Sequence, residues 1–274
     1  MSGPVPRYGD QHAPLAIAHR GGAALAPENT LAAFGRSVAL GVRYLETDVR
    51  LTADGELMCF HDEGLQCVTT GSGPFAQRTR AELDAVLVRG ADGTLAHIPS
   101  LAEALEAFPE ACFTVDLKDR AAIAPMARLL RREDYGRRVC VAGAWDGWLE
   151  LLRSQAPHVQ TALGWRSLTT LISTSRAGAP VPARLVQGRF AHVPLHLGRV
   201  PVHSAALVRR AARLGVRVVV WTVDEPAQMH HLLDMGVDGL ISDRPDVLRE
   251  VMLERGSWPG EGRIGWPDEV GARG

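Results

Sequence analysis

Four short apolar runs in the first half of the chain end in ionisable side chains at the same relative place. The first, IAHRGG, carries His19 and Arg20 just before two glycines. The second carries Glu46 and Asp48 at i and i+2, the third ends in His61-Asp62, and the fourth, FTVDLKD, carries Asp116 and Lys118 at i and i+2. Residues two apart on a strand share a face, so Glu46 and Asp48 are forced together. Like charges held that way repel unless a cation or a proton sits between them. Oxygen-only donors suit a hard divalent ion, Mg²⁺ or Ca²⁺. Singly, each pair also fits a solvated surface or a structural role; recurrence at four strand ends does not. Two histidines, three carboxylates, an arginine and a lysine suit phosphoryl chemistry: carboxylates hold a metal, cations neutralise phosphate oxygens, and imidazoles move protons. Lys118 is the sole lysine among 30 basic residues, which points to a specific need for a compact ammonium there.

Such a set must be carried by strands that end on a common rim. Candidate strands fall near 15–19, 44–49, 57–61, 112–117, 138–143, 159–164, 184–188, 216–222 and 238–242. Helical patterns lie near 29–40, 100–108, 120–132, 147–155, 167–174, 203–214 and 226–235. Repeated strand-then-helix units imply a parallel sheet covered by helices, and about eight of them in a chain of this length imply an α/β fold of the TIM (β/α)₈ barrel type. Nine strand candidates for eight places make one an excursion, with 184–188 the least strand-like. Between Asp48 and His61 there is room only for an extended link with an Asp54-Gly55 turn. Residues 62–98 are too long for an ordinary connection and read as a small insertion after the third strand. The remaining divisions are an arm over 1–14, a barrel over 15–250 and a Gly/Pro-rich tail over 251–274.

Composition narrows the class. With 46% hydrophobic and 22% charged residues in 274, the chain is neither disordered nor fibrous, and no run of 18 apolar residues could span a bilayer. The first 14 residues hold no apolar h-region and no small-residue cleavage site, so a secretory leader is not expected. The four cysteines form no CxxC pair, so reduced thiols in the cytoplasm are expected. The net charge is −1, yet ten arginines and no acid fall between Glu150 and Asp224, leaving −11 elsewhere. These arginines either lie on exposed helix faces or build a positive field for an anionic substrate or lipid headgroups. The run lacks clustered aromatics, so nucleic acid is not expected as a partner.

The motifs HRGG at 19–22, PENT at 27–30, ETDVRLTADGELMCFHD at 46–62, IPSLAEAL at 98–105, DLK at 116–118, WTVD at 221–224 and GVDGLISDRP at 236–245 resemble the glycerophosphodiester phosphodiesterase family, in that family's order. The resemblance implies a TIM barrel. It implies His19 and His61 as the general acid–base pair, Glu46 and Asp48 as metal ligands with Asp116 as the third, Arg20 and Lys118 on the phosphate, and Trp221 beside the glycerol. Glu28 and Asn29 of PENT fall near this site but equally start the first helix, and the capping role is the favoured reading. Two positions depart from the pattern. Asp116 stands where the family usually has Glu, which pulls the carboxylate back by about 1.5 Å, one C–C bond. Cys67 replaces an arginine in the insertion.

The implied reaction is metal-dependent hydrolysis of a small-molecule glycerophosphodiester to an alcohol and glycerol 3-phosphate. Attack by water and attack by the substrate's own hydroxyl both remain open. A phospholipase D-type or lysophospholipase D reaction on lipid diesters, with contact confined to the membrane surface, is the rival that the arginine-rich stretch favours. A non-catalytic phosphate binder is the other rival. The HVPLH segment, 192–196, has metal-like spacing but reads as a loop because of its proline.

Overall fold

The computed structural model describes residues 6–11, 13–182, 186–197 and 200–258. Strands and helices alternate along it as β1 (Leu15–Ala18), α1 (Leu31–Ala39), β2 (Tyr44–Leu51), β3 (Leu57–Cys59), α2 (Arg80–Leu83), β4 (Leu87–Arg89), β5 (Leu95–His97), α3 (Leu101–Ala107), β6 (Cys112–Leu117), α4 (Ile123–Leu129), α5 (Glu133–Gly136), β7 (Val139–Gly143), α6 (Asp146–Gln155) and β8 (Gln160–Thr161). They continue as α7 (Trp165–Ala177), β9 (Phe190–Pro194), the strand pair β10 (His196–Leu197) and β11 (Val200–Pro201), α8 (Ala205–Arg213), β12 (Arg217–Trp221), α9 (Pro226–Asp234), β13 (Gly239–Ser242) and α10 (Pro245–Glu254). Eight strands run parallel in the order β8-β7-β6-β2-β1-β13-β12-β9. A parallel bridge between Ala162 and Phe190 joins the two ends, so the sheet closes into the expected barrel.

Alternation along each strand divides the core. Residues facing inward form one cluster, including Leu15, Ile17, Tyr44, Cys112, Cys140, Phe190 and Val219. Outward-facing residues pack under the helices in two larger clusters, one centred on β2, β6 and β7 and the other on β9, β12 and β13. Burial on both faces explains why the strands read as continuous apolar runs. The segment before β1 belongs to this core: Tyr8 is fully buried, stacks edge-on against Tyr44 and Phe190, and shares a 2.5 Å hydrogen bond with Thr114.

Several expectations need correction. The strand near 57–61 is not a parallel barrel strand. The turn at Asp54-Gly55, with Gly55 at φ 88°, folds β3 back antiparallel onto β2, pairing Val49 with Cys59 and Leu51 with Leu57. The insertion therefore follows a hairpin that hangs from the second barrel strand. It contains α2 and the antiparallel pair β4–β5 around its own small core of Met58, Phe60, Leu65, Phe75, Leu83, Val88 and Ile98. The strand placed at 184–188 lies at 190–194 instead; residues 183–185 are outside the described part, and 186–188 are not strand. HVPLH is correspondingly not a loop, because His192 and Pro194 belong to β9. The tail boundary at 251 is too early, since α10 runs to Glu254 with Val251 and Met252 buried and Pro245 in its first turn; residues 259–274 are outside the described part. No described helix is long and apolar enough to cross a membrane.

Tyr8 gives a direct check on the barrel floor. Tyr8→Ala is expected to lower stability by roughly 3–5 kcal/mol, as for other buried aromatics, and Tyr8→Phe by about 1 kcal/mol through the lost hydrogen bond. Urea midpoints read both; a Tyr8→Ala midpoint matching the unmodified chain would show that the segment is not part of the core.

Candidate active site

The C-terminal ends of the barrel strands hold the ionisable residues that the sequence singled out, except His61, which the antiparallel β3 brings back to the same rim. Strand alternation points Glu46 and Asp48 of β2 inward, and the parallel register sets Asp48 directly opposite Asp116 on β6. After β1 the chain makes a tight turn over His19–Gly21. Arg20 has φ 48° and is followed by Gly21 and Gly22 at φ 81° and 99°. A Cβ at Gly21 would meet Phe34 at 2.6 Å, and one at Gly22 would meet Ser37 Oγ at 2.8 Å, so only glycine permits the turn. Its effect is to aim the Arg20 amide at Glu46, donating to Oε2 at 2.8 Å.

Glu46 and Asp48 are buried, Asp116 is half-buried, and the three carboxylates are compensated unequally. Lys118 Nζ lies between Asp48 Oδ1 at 2.9 Å and Asp116 Oδ2 at 2.7 Å, which accounts for the single lysine. Asp48 Oδ2 accepts from Asn29 Nδ2 at 3.1 Å and faces Arg20 Nε at 3.4 Å. Burial pushes the Asp48 carboxyl up, but Lys118 and Arg20 together outweigh it, and the net shift is downward. Burial raises the Asp116 carboxyl, only partly offset by Lys118. Glu46 is raised to about 7, first by burial and then by the charge of Asp48. It is the carboxylate left short of positive charge.

Both histidines are oriented by carboxylates. His19 Nδ1 lies 2.7 Å from Asp243 Oδ1 and its Nε2 is 3.9 Å from Glu46 Oε2. Burial lowers the His19 imidazole, but the hydrogen bond to Asp243 and the charge of Glu46 raise it more. Asp243 is itself fixed, since its amide and the Ser242 hydroxyl both donate to Asp224 Oδ1 at 2.8 Å. His61 Nδ1 lies 2.7 Å from Asp62 Oδ1. With Nδ1–H donated to a carboxylate, each ring keeps Nε2 for a substrate.

All eight singled-out residues, His19, Arg20, Glu46, Asp48, His61, Asp116, Lys118 and Trp221, line one cavity of about 280 Å³. Its charged wall comes from β1, β2, β3 and β6. Across from it, Ala142, Gly143, Ala144, Leu163, Trp165 and Leu168 form an apolar wall that Trp221 extends. The Glu28 and Asn29 expectation is overturned. Thr30 caps α1, accepting from the Ala33 amide, while Glu28 accepts from Arg20 Nη1 at 2.8 Å and Asn29 joins Asp48 to Thr47. Asp243 was missed although it ends a strand on the same rim, and that position was the available signal. Cys67 is exposed, and no disulfide occurs among the described residues.

None of the eight described arginines of the acid-free stretch lines this cavity. Arg217 opens β12 at the opposite end, donating to the carbonyls of Gly9 and Gln11. Arg153 is bonded to Thr161 and Gln187, and Arg213 ends α8; Arg184 and Arg199 lie outside the described residues.

Residues 19–247 match the model of the glycerophosphoryl diester phosphodiesterase family. The chain is 36% identical over 251 residues to "Probable glycerophosphodiester phosphodiesterase 2" of Mycobacterium tuberculosis, covering 90% of this chain and 93% of that one. The crystal structure of a glycerophosphodiester phosphodiesterase of Agrobacterium tumefaciens superposes with a TM-score of 0.70 at 26% identity, over 85% of this chain and 98% of the other. A phosphodiesterase of Oleispira antarctica, solved in complex with its product sn-glycerol-3-phosphate, has a TM-score of 0.71 at 22% identity, over 88% and 97% of the two chains; at that identity the likeness is one of fold. A sequence match over most of the length, on a barrel that gathers the motif residues at one rim, makes this chain a member of the glycerophosphoryl diester phosphodiesterase family.

Proposed function

We propose that this protein hydrolyses glycerophosphodiesters to an alcohol and glycerol 3-phosphate, using His19 and His61 for proton transfer and a divalent ion beside Glu46 and Asp48. The observation that carries the reading is the pair of imidazoles, each tied through Nδ1 to a carboxylate at 2.7 Å, on the cavity that also holds Lys118 and Arg20. One imidazole takes the proton of the attacking hydroxyl. The P–O bond to the leaving alkoxide breaks, and the other imidazole, in its protonated form, supplies the proton that alkoxide needs. Lys118 and Arg20 neutralise non-bridging oxygens as charge shifts during the displacement. Asp243 and Asp62 keep the two rings turned toward the phosphorus.

The donor set suits a hard ion in chemistry. Glu46 is buried beside a like charge, its carboxyl raised to about 7, and one amide is its hydrogen-bond donor. No three His, Cys, Asp or Glu side chains among the described residues already converge as a ligand shell, and Asp116 is engaged by Lys118. Glu46, with Asp48 and Asp116 beside it, would hold the ion, Lys118 being shared between the two aspartates. Oxygen donors of this kind would suit a hard ion, Mg²⁺ or Ca²⁺. When bound, such an ion supplies Lewis-acid stabilisation of a phosphate oxygen.

Two outcomes follow. His19→Ala and His61→Ala should each lower kcat for glycerophosphocholine by roughly 10²–10⁴, measured by glycerol 3-phosphate release, with unfolding temperatures recorded alongside; turnover that survives both substitutions contradicts the acid–base assignment. Chelation with EDTA should abolish release, and Mg²⁺ or Ca²⁺ should restore it. Full activity in EDTA would remove the metal from the account.

A further inference from the structure

The charged wall of the cavity explains how a phosphate is held, but the opposite wall has a feature that phosphate recognition leaves unused. His192 sits inside the barrel on β9, in register with Val219 of β12. Its ring lines the cavity, and its Nε2 is buried with no hydrogen-bond partner in the structure. Ala191 and Val193, its neighbours in sequence, face outward into the apolar helix-side core. Strand alternation therefore aims His192 at the cavity, among Ala162, Leu163 and Leu168.

A buried polar nitrogen without a partner lowers stability, and native structures rarely tolerate one without a reason. Leucine or valine would fill this place at no such cost. Burial pushes the imidazole down to about 4, so at neutral pH the ring is uncharged, with one N–H donor and one acceptor nitrogen. An uncharged ring in an apolar wall is poorly matched to a phosphate anion, for which Arg20 and Lys118 stand ready on the other side. It matches a hydroxyl, which donates and accepts.

We propose that His192 is a substrate-positioning residue whose Nε2 hydrogen-bonds a hydroxyl of the substrate's glycerol moiety, so that the polyol lies against the β8–β9–β12 wall while the phosphate faces β1, β2 and β6. The inference rests on the glycerophosphodiesterase reading and names the part of the substrate that this wall selects. A three-carbon polyol phosphate is of a size suited to the cavity of about 280 Å³. Trp221, at the end of the adjoining strand, bounds the same side.

The test compares two ligands by isothermal titration calorimetry: glycerol 3-phosphate, and propyl phosphate, which has the same carbon chain without hydroxyls. The unmodified chain should bind glycerol 3-phosphate more tightly. His192→Leu should weaken glycerol 3-phosphate about tenfold and leave propyl phosphate within twofold, in line with the loss of one hydrogen bond. His192→Gln, which keeps a donor and an acceptor, should retain most of the preference and serves if the leucine variant folds poorly. Because an orphaned nitrogen is removed, His192→Leu should melt no lower than the unmodified chain. Unchanged glycerol 3-phosphate binding in His192→Leu, or equal weakening of both ligands, overturns the proposal. Glycerophosphodiester turnover by the unmodified chain separates the two claims. Turnover with no effect of His192→Leu defeats the hydroxyl contact alone. No turnover, with no preference for glycerol 3-phosphate, defeats the contact and the activity together.

Discussion

Two carboxylates two residues apart on a buried strand repel each other, and a third lies across the sheet from the second. Glu46, Asp48 and Asp116 are held this way by strand alternation and by the β2–β6 register, where low local dielectric strengthens the repulsion between the buried pair, Glu46 and Asp48. Much of the rim can be read as compensation. Lys118 bridges two of the three. Arg20, with its left-handed backbone made possible by Gly21 and Gly22, offers its amide to the first and its side chain to the second. Asn29 steadies the same Asp48 from the start of α1. What stays uncompensated is Glu46, and that residual negative charge is the feature an added cation would answer.

The other half of the mouth is built on the opposite principle. Small residues at the end of β7, Ala142 and Gly143, and Ala144 just after it leave space, while Leu163, Trp165, Leu168 and Trp221 keep it apolar. A ligand held between the two walls has its charged group among fixed ions and its neutral part out of water. Excluding water in this way strengthens each electrostatic contact on the charged side. The plug at the barrel floor supports the arrangement from below, because Thr114, which accompanies Tyr8 there, also lines the cavity.

What could be read from the sequence depended on whether local pattern or tertiary context decided the outcome. His19, Glu46, Asp48, Asp116 and Lys118 were legible because strand period and rim position are local consequences of sequence. The antiparallel β3 was not, although the Asp54-Gly55 turn that causes it was visible; a short apolar run does not reveal its direction. His192 was hidden by Pro194, which made the segment read as a loop. The structure shows why proline is tolerated. The Leu195 amide goes to Trp221 of β12, so the nitrogen of Pro194 faces β8, which has already ended at Thr161, and no ladder bond is lost there. Asn29 illustrates the reverse error: its residue type suits a helix cap, but Thr30 does that work and frees Asn29 for Asp48.

The crowded negative charge around Glu46 is the proposed site for a divalent cation. Calorimetric titration of Mg²⁺ or Ca²⁺ into EDTA-stripped protein, alongside Glu46→Gln, tests it without reference to turnover. The account predicts one ion per chain in the unmodified protein and at least about tenfold weaker binding once the charge of Glu46 is removed, a difference of 1.4 kcal/mol. No measurable binding, or binding that Glu46→Gln leaves unchanged, would contradict it.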